Sequence, residues 1–283
     1  MMQKTINVPM SIIGKGLHSG ITSKVTFKPA VANTGIIFIR NDINPKKNIK
    51  GIYSSVENTN LTTAIIKDNI EVKTIEHLYS ALFGLAIDNL IIEINGPEIP
   101  IMDGSSTPFL FALEAAGIRV QDENRKLIKI KKEIKVVDGD KIALLKPYNG
   151  TKITFEINYE NDFINSTPQI AVFDLGKDSY LHTISRARTF GFEKDVENLR
   201  KNNHILGGTL DNAILVSDNH IINKDGLRFN DEFVRHKLLD AIGDLYLLNH
   251  QVVGEYYGFK SGHTLNNKLL RTLMEDRDAW EFV

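Results

Sequence analysis

The residues best placed to do chemistry are two polar pairs in segments whose apolar residues recur at helical spacing. His236 and Asp240 lie four positions apart, so on a helix they share one face, which Asp244 continues by another turn. Glu76 and His77 open a second such segment. Together they offer two imidazoles and one carboxylate as metal ligands, with a glutamate next to one ligand. A catalytic zinc needs three protein ligands, an open fourth position and a nearby base.

The same spacing is also typical of a helix that binds no metal. At about 100° per residue, His236, Asp240 and Asp244 fall on one arc, with apolar residues roughly opposite, as on any amphipathic helix. Short patterns of this kind often arise by chance. The spacing alone therefore leaves a metal site and a solvated helix face both open.

Composition narrows the class of protein. The chain has 283 residues, 42% of them apolar, enough for one large domain or two of ordinary size. A net charge of −1 without a basic block argues against a nucleic-acid partner. The chain has no cysteine, so a zinc site must use His, Asp or Glu, and a reducing cytoplasm is the expected compartment.

No segment resembles a membrane anchor or a secretion signal. The first 14 residues contain no long apolar stretch, which argues against a signal peptide. The most apolar region, 81–94, is too short to span a bilayer and contains Asp88 and Asn89. We expect a cytoplasmic protein without a transmembrane segment.

The first half of the chain predicts short strands and two helices. Alternating apolar residues indicate strands at 24–27, 35–40 and 62–66. A fourth, apolar strand is expected at 90–94. Thr74 is the expected N-cap of the first helix. The second helix is expected to begin at Thr107 and Pro108 and to end before Gly117. The polar run 121–126 is the predicted linker.

The second half repeats this order of elements. Strands are expected at 127–137, 141–146 and 152–159. A long helix capped by Asn230 or Asp231 should run to about Leu248, and a final helix should begin near Thr264. We therefore predict an α+β fold with two similar domains, residues 1–125 and 126–283.

Six segments, in order along nearly the whole chain, resemble those of a known family. They lie at 14–20, 74–78, 97–104, 187–190, 235–244 and 261–266. The family is that of the zinc-dependent UDP-3-O-acyl-N-acetylglucosamine deacetylases, which perform the committed step of lipid A synthesis. Each motif is short, but the six together cover every chemical role.

The resemblance also implies an architecture. Each domain would layer a sheet against two helices, with the active site in the cleft between the domains. Each domain would carry a small insert, here near 37–66 and 184–218, and the second insert would form a hydrophobic passage for the fatty acyl chain. The family suggests a monomer.

The resemblance assigns the metal ligands and the base. His77, His236 and Asp240 would bind zinc, and Glu76 would be the general base that takes a proton from the attacking water. Without the resemblance, His77 would be interpreted as an inert histidine at the edge of the buried face of a helix. Glu76 would be a first-turn glutamate that complements the helix dipole. Ferrous ion is the alternative metal, because it also suits two histidines and a carboxylate.

Three further residues acquire catalytic roles from the resemblance. His263 would act as a cation that protonates the leaving amine or stabilises the oxyanion, and Asp244 would pair with it and raise its pKa. Thr189 would donate its hydroxyl to the oxyanion. The alternatives are an exposed helix carboxylate for Asp244 and ordinary strand content for Thr189.

The resemblance says less about which residues contact the substrate. Phe190 is expected to line the acyl or sugar side of the cleft. Lys237 would meet the negative charge of the substrate, with Lys260 a weaker candidate for the diphosphate; a solvated surface cation is the alternative for either. His18, in a glycine-rich loop without the lysine of a P-loop, is interpreted as structural or cleft-lining, and Asp103 as structural.

The predicted function is a zinc amidase. It would remove the N-acetyl group of a UDP-linked, 3-O-acylated glucosamine, releasing acetate and a free amine. One rival is a zinc deacetylase of the same design that acts on another acylated amino sugar. A rival of another class is a nucleotide-sugar or lipid-binding protein without chemistry. That protein should lack a ligand or Glu76, and the chain has them all.

Overall fold

The computed structural model describes residues 1–43 and 46–283. Its strands are β1 (Met2–Ile6), β2 (Met10–Lys15), β3 (Thr22–Pro29), β4 (Ile36–Arg40), β5 (Lys47–Lys50), β6 (Val56–Asn58), β7 (Ala64–Lys67), β8 (Ile70–Val72), β9 (Leu90–Ile94), β10 (Ile118–Asn124), β11 (Ile128–Ile130), β12 (Ile134–Asp138), β13 (Lys141–Lys146), β14 (Thr151–Glu156), β15 (Ile170–Asp174), β16 (Phe190–Phe192), β17 (Ile214–Val216), β18 (Val252–Phe259) and β19 (Trp280–Phe282). Its helices are α1 (Glu76–Leu85), α2 (Thr107–Ala115), α3 (Asp162–Asn165), α4 (Tyr180–Thr183), α5 (Glu193–Lys201), α6 (Glu232–Leu245) and α7 (His263–Glu275).

A five-stranded sheet forms the centre of the first half, in the order β2-β3-β9-β4-β5. Strand β9 is antiparallel to β3 and parallel to β4. Alternate side chains of these strands are buried, as the period of a strand with one covered face requires: Phe27 on β3, Phe38 on β4 and Ile92 on β9 are examples. Helix α2 packs against β2 and against α1.

A seven-stranded sheet forms the centre of the second half. Its path is β12-β13-β18-β11-β19, and β14, paired with β15, also adds to β18. The central strand β18 is antiparallel to β13 and parallel to β14 and β11. Helix α6 packs on β14 and β15, and helix α7 packs on β12 and β13. The chain is therefore an α+β protein in which each half contributes a sheet and two long helices.

Helices α1 and α6 form the main contact between the two halves. They cross where Gly243 of α6 lies against the backbone of Glu76 in α1. One hydrophobic core continues through both halves, from Phe38 of the first sheet through Leu82 of α1 to Phe155 of the second sheet. The boundary between domains at residues 125 and 126 stays a prediction.

Two sequence-based boundaries need correction. The insert expected at 37–66 includes β4 and β5, which belong to the five-stranded sheet because Phe38 and Ile49 face the core. The separate small sheet is β6-β7-β8. The linker expected at 121–126 is mostly the end of β10, which pairs with β1. Strand β10 exposes most of its side chains, and so it tolerates charged residues.

The segment 184–218 has a distinct local structure. Strands β16 and β17 pair in parallel, and α5 lies between them in the chain. Helix α5 has no fully buried residue and packs beside β16. Within the described residues, no helix combines the length and apolar character needed to cross a membrane.

Candidate metal-dependent active site

The predicted metal ligands come together where α1 and α6 cross. The Nε2 atoms of His77 and His236 each lie 3.4 Å from Oδ1 of Asp240. One donor atom from each residue lies within 4.8 Å of the other two. All three side chains are buried, with 5% exposure or less. The solvated-face alternative for α6 is therefore wrong: its polar arc is covered by α1.

The donor atoms of this cluster fit a divalent cation. Nδ1 of His236 lies 3.0 Å from the carbonyl oxygen of Ala187 and can donate its hydrogen there, which leaves the Nε2 lone pair facing Asp240. Burial lowers the pKa of His236 to about 3, so the ring is neutral. Oδ1 of Asp240 is buried without a hydrogen-bond partner among the described residues. A neutral imidazole nitrogen and an unpartnered carboxylate oxygen repel each other unless a cation lies between them.

The second oxygen of Asp240 is held by a lysine. Nζ of Lys237 lies 2.6 Å from Oδ2. Burial would raise the pKa of Asp240, but the positive charge of Lys237 holds it well below its usual range. Burial would lower the pKa of Lys237, but Asp240 and Tyr159 raise it. The ligand carboxylate is therefore ionised and the lysine is a cation.

Glu76 faces this cluster from the first turn of α1. Its carboxylate accepts the hydroxyl of Thr62 at 2.9 Å and the N–H of Thr63 at 3.1 Å. Burial raises the pKa of Glu76, which makes its carboxylate a stronger base. Its Oε1 lies 3.9 Å from Nε2 of His263. A basic carboxylate and an imidazole thus flank one space.

His263 is paired with Asp244 on the far side of its ring. Nδ1 of His263 lies 2.9 Å from Oδ2 of Asp244, which also accepts from the amide of Asn266. The other oxygen of Asp244, Oδ1, accepts from the hydroxyl of Thr63. Burial alone would lower the pKa of His263, but Asp244 outweighs it and the pKa rises to about 9. His263 is therefore an imidazolium at neutral pH, with Nε2–H directed away from Asp244.

Several residues that surround Asp244 and His263 could not be identified as functional from the sequence. The hydroxyls of Tyr256 and Ser261 both donate to Oδ1 of Asn266, so the amide nitrogen of Asn266 must face Asp244. Thr62 and Thr63 were predicted only as strand residues. Asn266 and Ser261 lie in the motif at 261–266, but spacing does not reveal which atoms they contact.

The backbone around Thr189 is fixed on both sides. Its N–H donates to the carbonyl of Gly104 at 2.8 Å, and its carbonyl accepts from Ile214. The preceding residue, Arg188, binds the fully buried Glu232 through both its N–H and its guanidinium. The Thr189 side chain lies on the wall of the cavity that contains the ligands. Thr189 thus lies on the cavity wall in a segment whose backbone is hydrogen-bonded on both sides.

The cavity has a volume of about 600 Å³ and changes character along its length. The ligands, Glu76 and His263 form one part of its wall. Much of the remainder is apolar and comes largely from 190–215, including Phe192, Val196, Leu199, Ile205 and Leu210. The cavity therefore suits a molecule with a polar group at the ligands and an apolar chain.

The predicted substrate contacts separate into two groups. Phe190, Lys237 and His18 lie on the cavity wall, and burial lowers the pKa of His18. Lys260 instead forms an ion pair with Asp140 and is not part of the wall. Asp103 accepts from Ser105 and pairs with Arg228, in keeping with a structural role.

Comparison with known proteins connects this site to one family. Residues 3–275 match the model of the family described as UDP-3-O-acyl N-acetylglycosamine deacetylase. A UDP-3-O-acyl-N-acetylglucosamine deacetylase of Histophilus somni is 49% identical over 99% of this chain and 92% of its own length. Proteins with the same name from Marinobacter nauticus and Shewanella halifaxensis are 49% and 47% identical, over 99% and 100% of this chain and 92% and 93% of their own.

Proposed function

This chain belongs to the UDP-3-O-acyl-N-acetylglucosamine deacetylase family, and from that membership we propose how its own residues carry out the reaction. The protein is a hydrolase that removes the N-acetyl group of UDP-3-O-acyl-N-acetylglucosamine in lipid A biosynthesis, giving acetate and a free amine. The observation that carries the assignment of residues is the unpartnered Oδ1 of Asp240, which faces the Nε2 atoms of two histidines beside Glu76 and His263.

His77, His236 and Asp240 would hold the metal ion. We propose zinc, with ferrous ion as the alternative, because two neutral imidazoles and a carboxylate suit both. A bound ion would polarise the acetamide carbonyl and make the attacking water more acidic. The 3.0 Å contact of His236 with Ala187 supports this role, since it orients the ring with Nε2 toward the other ligands.

Glu76 and His263 would move the protons. Glu76 would take a proton from water as the oxygen attacks the amide carbon, and its pKa, raised by burial, favours that role. His263 would give the proton on Nε2 to the amine nitrogen as the C–N bond breaks. Asp244 holds Nδ1, so Nε2 is the nitrogen left free for that transfer.

Thr189 and Lys237 would act on charge that develops during attack. The carbonyl oxygen becomes negative, and the Thr189 hydroxyl is available at the cavity wall to donate to it. Lys237 would hold Asp240 in place and supply positive charge nearby. Phe190 and the apolar wall of 190–215 would accept the acyl chain, while Lys260, paired with Asp140, is a weak candidate for the diphosphate.

The proposal also covers the organisation of the protein. His77, His236 and Asp240 all come from one chain, so a monomer suffices for catalysis. We place a domain boundary at residues 125 and 126, between the first sheet with its helices and the second. The cytoplasmic location predicted from the sequence is retained.

Acetate release from UDP-3-O-acyl-N-acetylglucosamine tests the proposal. Chelation should abolish release, and added zinc should restore it. The variant E76Q should retain zinc but lose most turnover, while E57Q, at an exposed position on β6, should behave like the wild type. Turnover by E76Q would show that the base is assigned wrongly. Zinc-loaded wild-type protein that releases no acetate would disprove the substrate, and other acylated amino sugars should then be assayed.

A further inference from the structure

The carboxylate of Glu76 accepts hydrogen bonds from uncharged donors in a loop. Oγ1 of Thr62 lies 2.9 Å from Oε1 and 3.2 Å from Oε2, and the N–H of Thr63 binds Oε2. Thr62 is buried, with 3% exposure, and is not part of the cavity wall. Its hydroxyl therefore acts on Glu76 and not directly on a bound substrate.

Polar contacts continue beyond Thr62 into the protein. Oγ1 of Thr62 lies 3.1 Å from Oγ1 of Thr74, whose hydroxyl donates to Oε1 of Glu98 at 2.9 Å. Glu98 also accepts the N–H groups of His18 and Ser19. The single hydroxyl hydrogen of Thr62 goes to Glu76 and that of Thr74 goes to Glu98, so the two threonine oxygens are in contact without a hydrogen bond between them. Glu98 thereby sets the direction of the Thr74 hydroxyl.

The arrangement of Thr74 and Glu98 lowers the stability of the fold. Thr74 has φ +59, a left-handed conformation that is rare for a β-branched residue. Glu98 has no exposed surface, and its three hydrogen-bond donors are all uncharged. Gly16 lies so close to Glu98 that an added Cβ would collide with its carboxylate. Strain concentrated beside an active site indicates a function for the strained groups.

We propose that Thr62 is a positioning residue for the general base, Glu76. Together with the N–H of Thr63, its hydroxyl fixes the plane of the Glu76 carboxylate, with Oε1 on the side of His263. The inference rests on the role of Glu76 in the proposed function. Without the hydroxyl, the carboxylate can rotate away from the attacking water, which slows proton transfer but leaves the substrate wall intact.

Kinetics of T62V and T62S test this role. Valine keeps the shape of the side chain and removes the hydroxyl, so kcat should fall about 10- to 100-fold, as is typical when a partner that orients an active group is lost. KM and zinc content should stay within about twofold, because Thr62 contacts none of the proposed metal ligands and is not itself part of the cavity wall. T62S should recover most of kcat. The control T151V removes another buried hydroxyl, which donates to Val252, and should leave kcat unchanged.

A T62V enzyme with wild-type kcat, or with its defect in KM or zinc content, would overturn the positioning role. Should T62V not fold, T62A removes the same hydroxyl with a smaller side chain, and its kcat then decides.

The variant E76Q separates this inference from the proposed function. If E76Q is inactive while T62V, folded and zinc-loaded, turns over at the wild-type rate, Glu76 remains the base and only the positioning role fails. If E76Q itself turns over, the proposed function loses its base, and the inference fails with it.

Discussion

Glu76 and His263 lie 3.9 Å apart, and the protein tunes both toward proton transfer. Burial raises the pKa of the Glu76 carboxylate, so this base binds a proton more readily than an exposed glutamate. Asp244 raises the pKa of His263 to about 9 against the effect of burial, so this acid keeps its proton at neutral pH. Two groups with separate environments can therefore serve as base and acid in one cycle.

The variant D244N should move the alkaline limit of activity. Protonated His263 is the proposed acid, so kcat/KM should be high below its pKa and fall as pH rises through about 9. Asparagine removes the charge that opposes burial, so the pKa of His263 falls and the alkaline limb should move down by about 1 to 3 pH units. The measurement is the pH profile of kcat/KM at saturating zinc.

The matched control for this profile is D162N, a change to the exposed first residue of α3. D162N removes one negative charge that does not contact His263, so the alkaline limb of the pH profile should stay at the same pH. An alkaline limb that is identical in D244N and the wild type would show that His263 does not set it.

At the scale of elements, helical spacing located the ligand-bearing segments but not the contacts between them. The periodicity around His236 and Asp240 predicted a long helix, and the structure has one there, α6. Thr74 was wrongly predicted as an N-cap: its φ is +59 and its hydroxyl binds Glu98. The contact between Thr63 and Asp244 joins positions 181 residues apart, so no spacing rule could reveal it.

The crossing of α1 and α6 depends on a glycine. A Cβ on Gly243 would collide with the backbone carbonyl of Glu76, which cannot move aside like a flexible side chain. Alanine gains about 1 kcal/mol in helix propensity, but overpacking typically costs about 1–3 kcal/mol and sometimes more. Because the added Cβ would overlap with a backbone oxygen, we take the upper end of that cost and expect G243A to lower the free energy of unfolding by about 2 kcal/mol or more. Chemical denaturation measures this difference.

A second glycine provides the comparison. At Gly176 an added Cβ meets only Oδ1 of Asp174, at an ordinary 3.4 Å, so G176A should change stability by less than about 0.5 kcal/mol. G243A should also weaken zinc binding, because the crossing sets the distance between His77 and His236. A G243A protein as stable as the wild type would mean that the helices can separate without loss.

At the scale of the whole molecule, the sequence predicted the α+β class correctly but not every boundary. Alternation identified β3 and β4 in the first sheet and β13 and β14 in the second, because a buried face imposes a period of two. It did not identify β18, the central strand of the second sheet. The extent of the first insert was wrong, because sheet membership of β4 and β5 depends on pairing with the distant β9 and with each other. The position of the domain boundary remains a prediction.

If zinc binds as proposed, it should stabilise the whole fold, because the proposed ligands come from both halves of the chain. An ion that binds only the folded protein adds about 2.7 kcal/mol at a free concentration one hundred times its Kd. Thermal unfolding of chelated protein should therefore shift to higher temperature as zinc is added. H77A should show little shift, and exposed H182A should respond like the wild type. An equal response in H77A would argue against His77 as a ligand.

The division of the ligands between α1 and α6 has a consequence for protein engineering. If the chain were cut between Asn124 and Arg125, one fragment would hold His77 and the other His236 and Asp240. Neither fragment alone would contain a complete binding set, so recovery of activity on mixing would report reassembly of the two fragments. The protein could therefore be developed into a split reporter in which deacetylase activity depends on both fragment association and a metal ion.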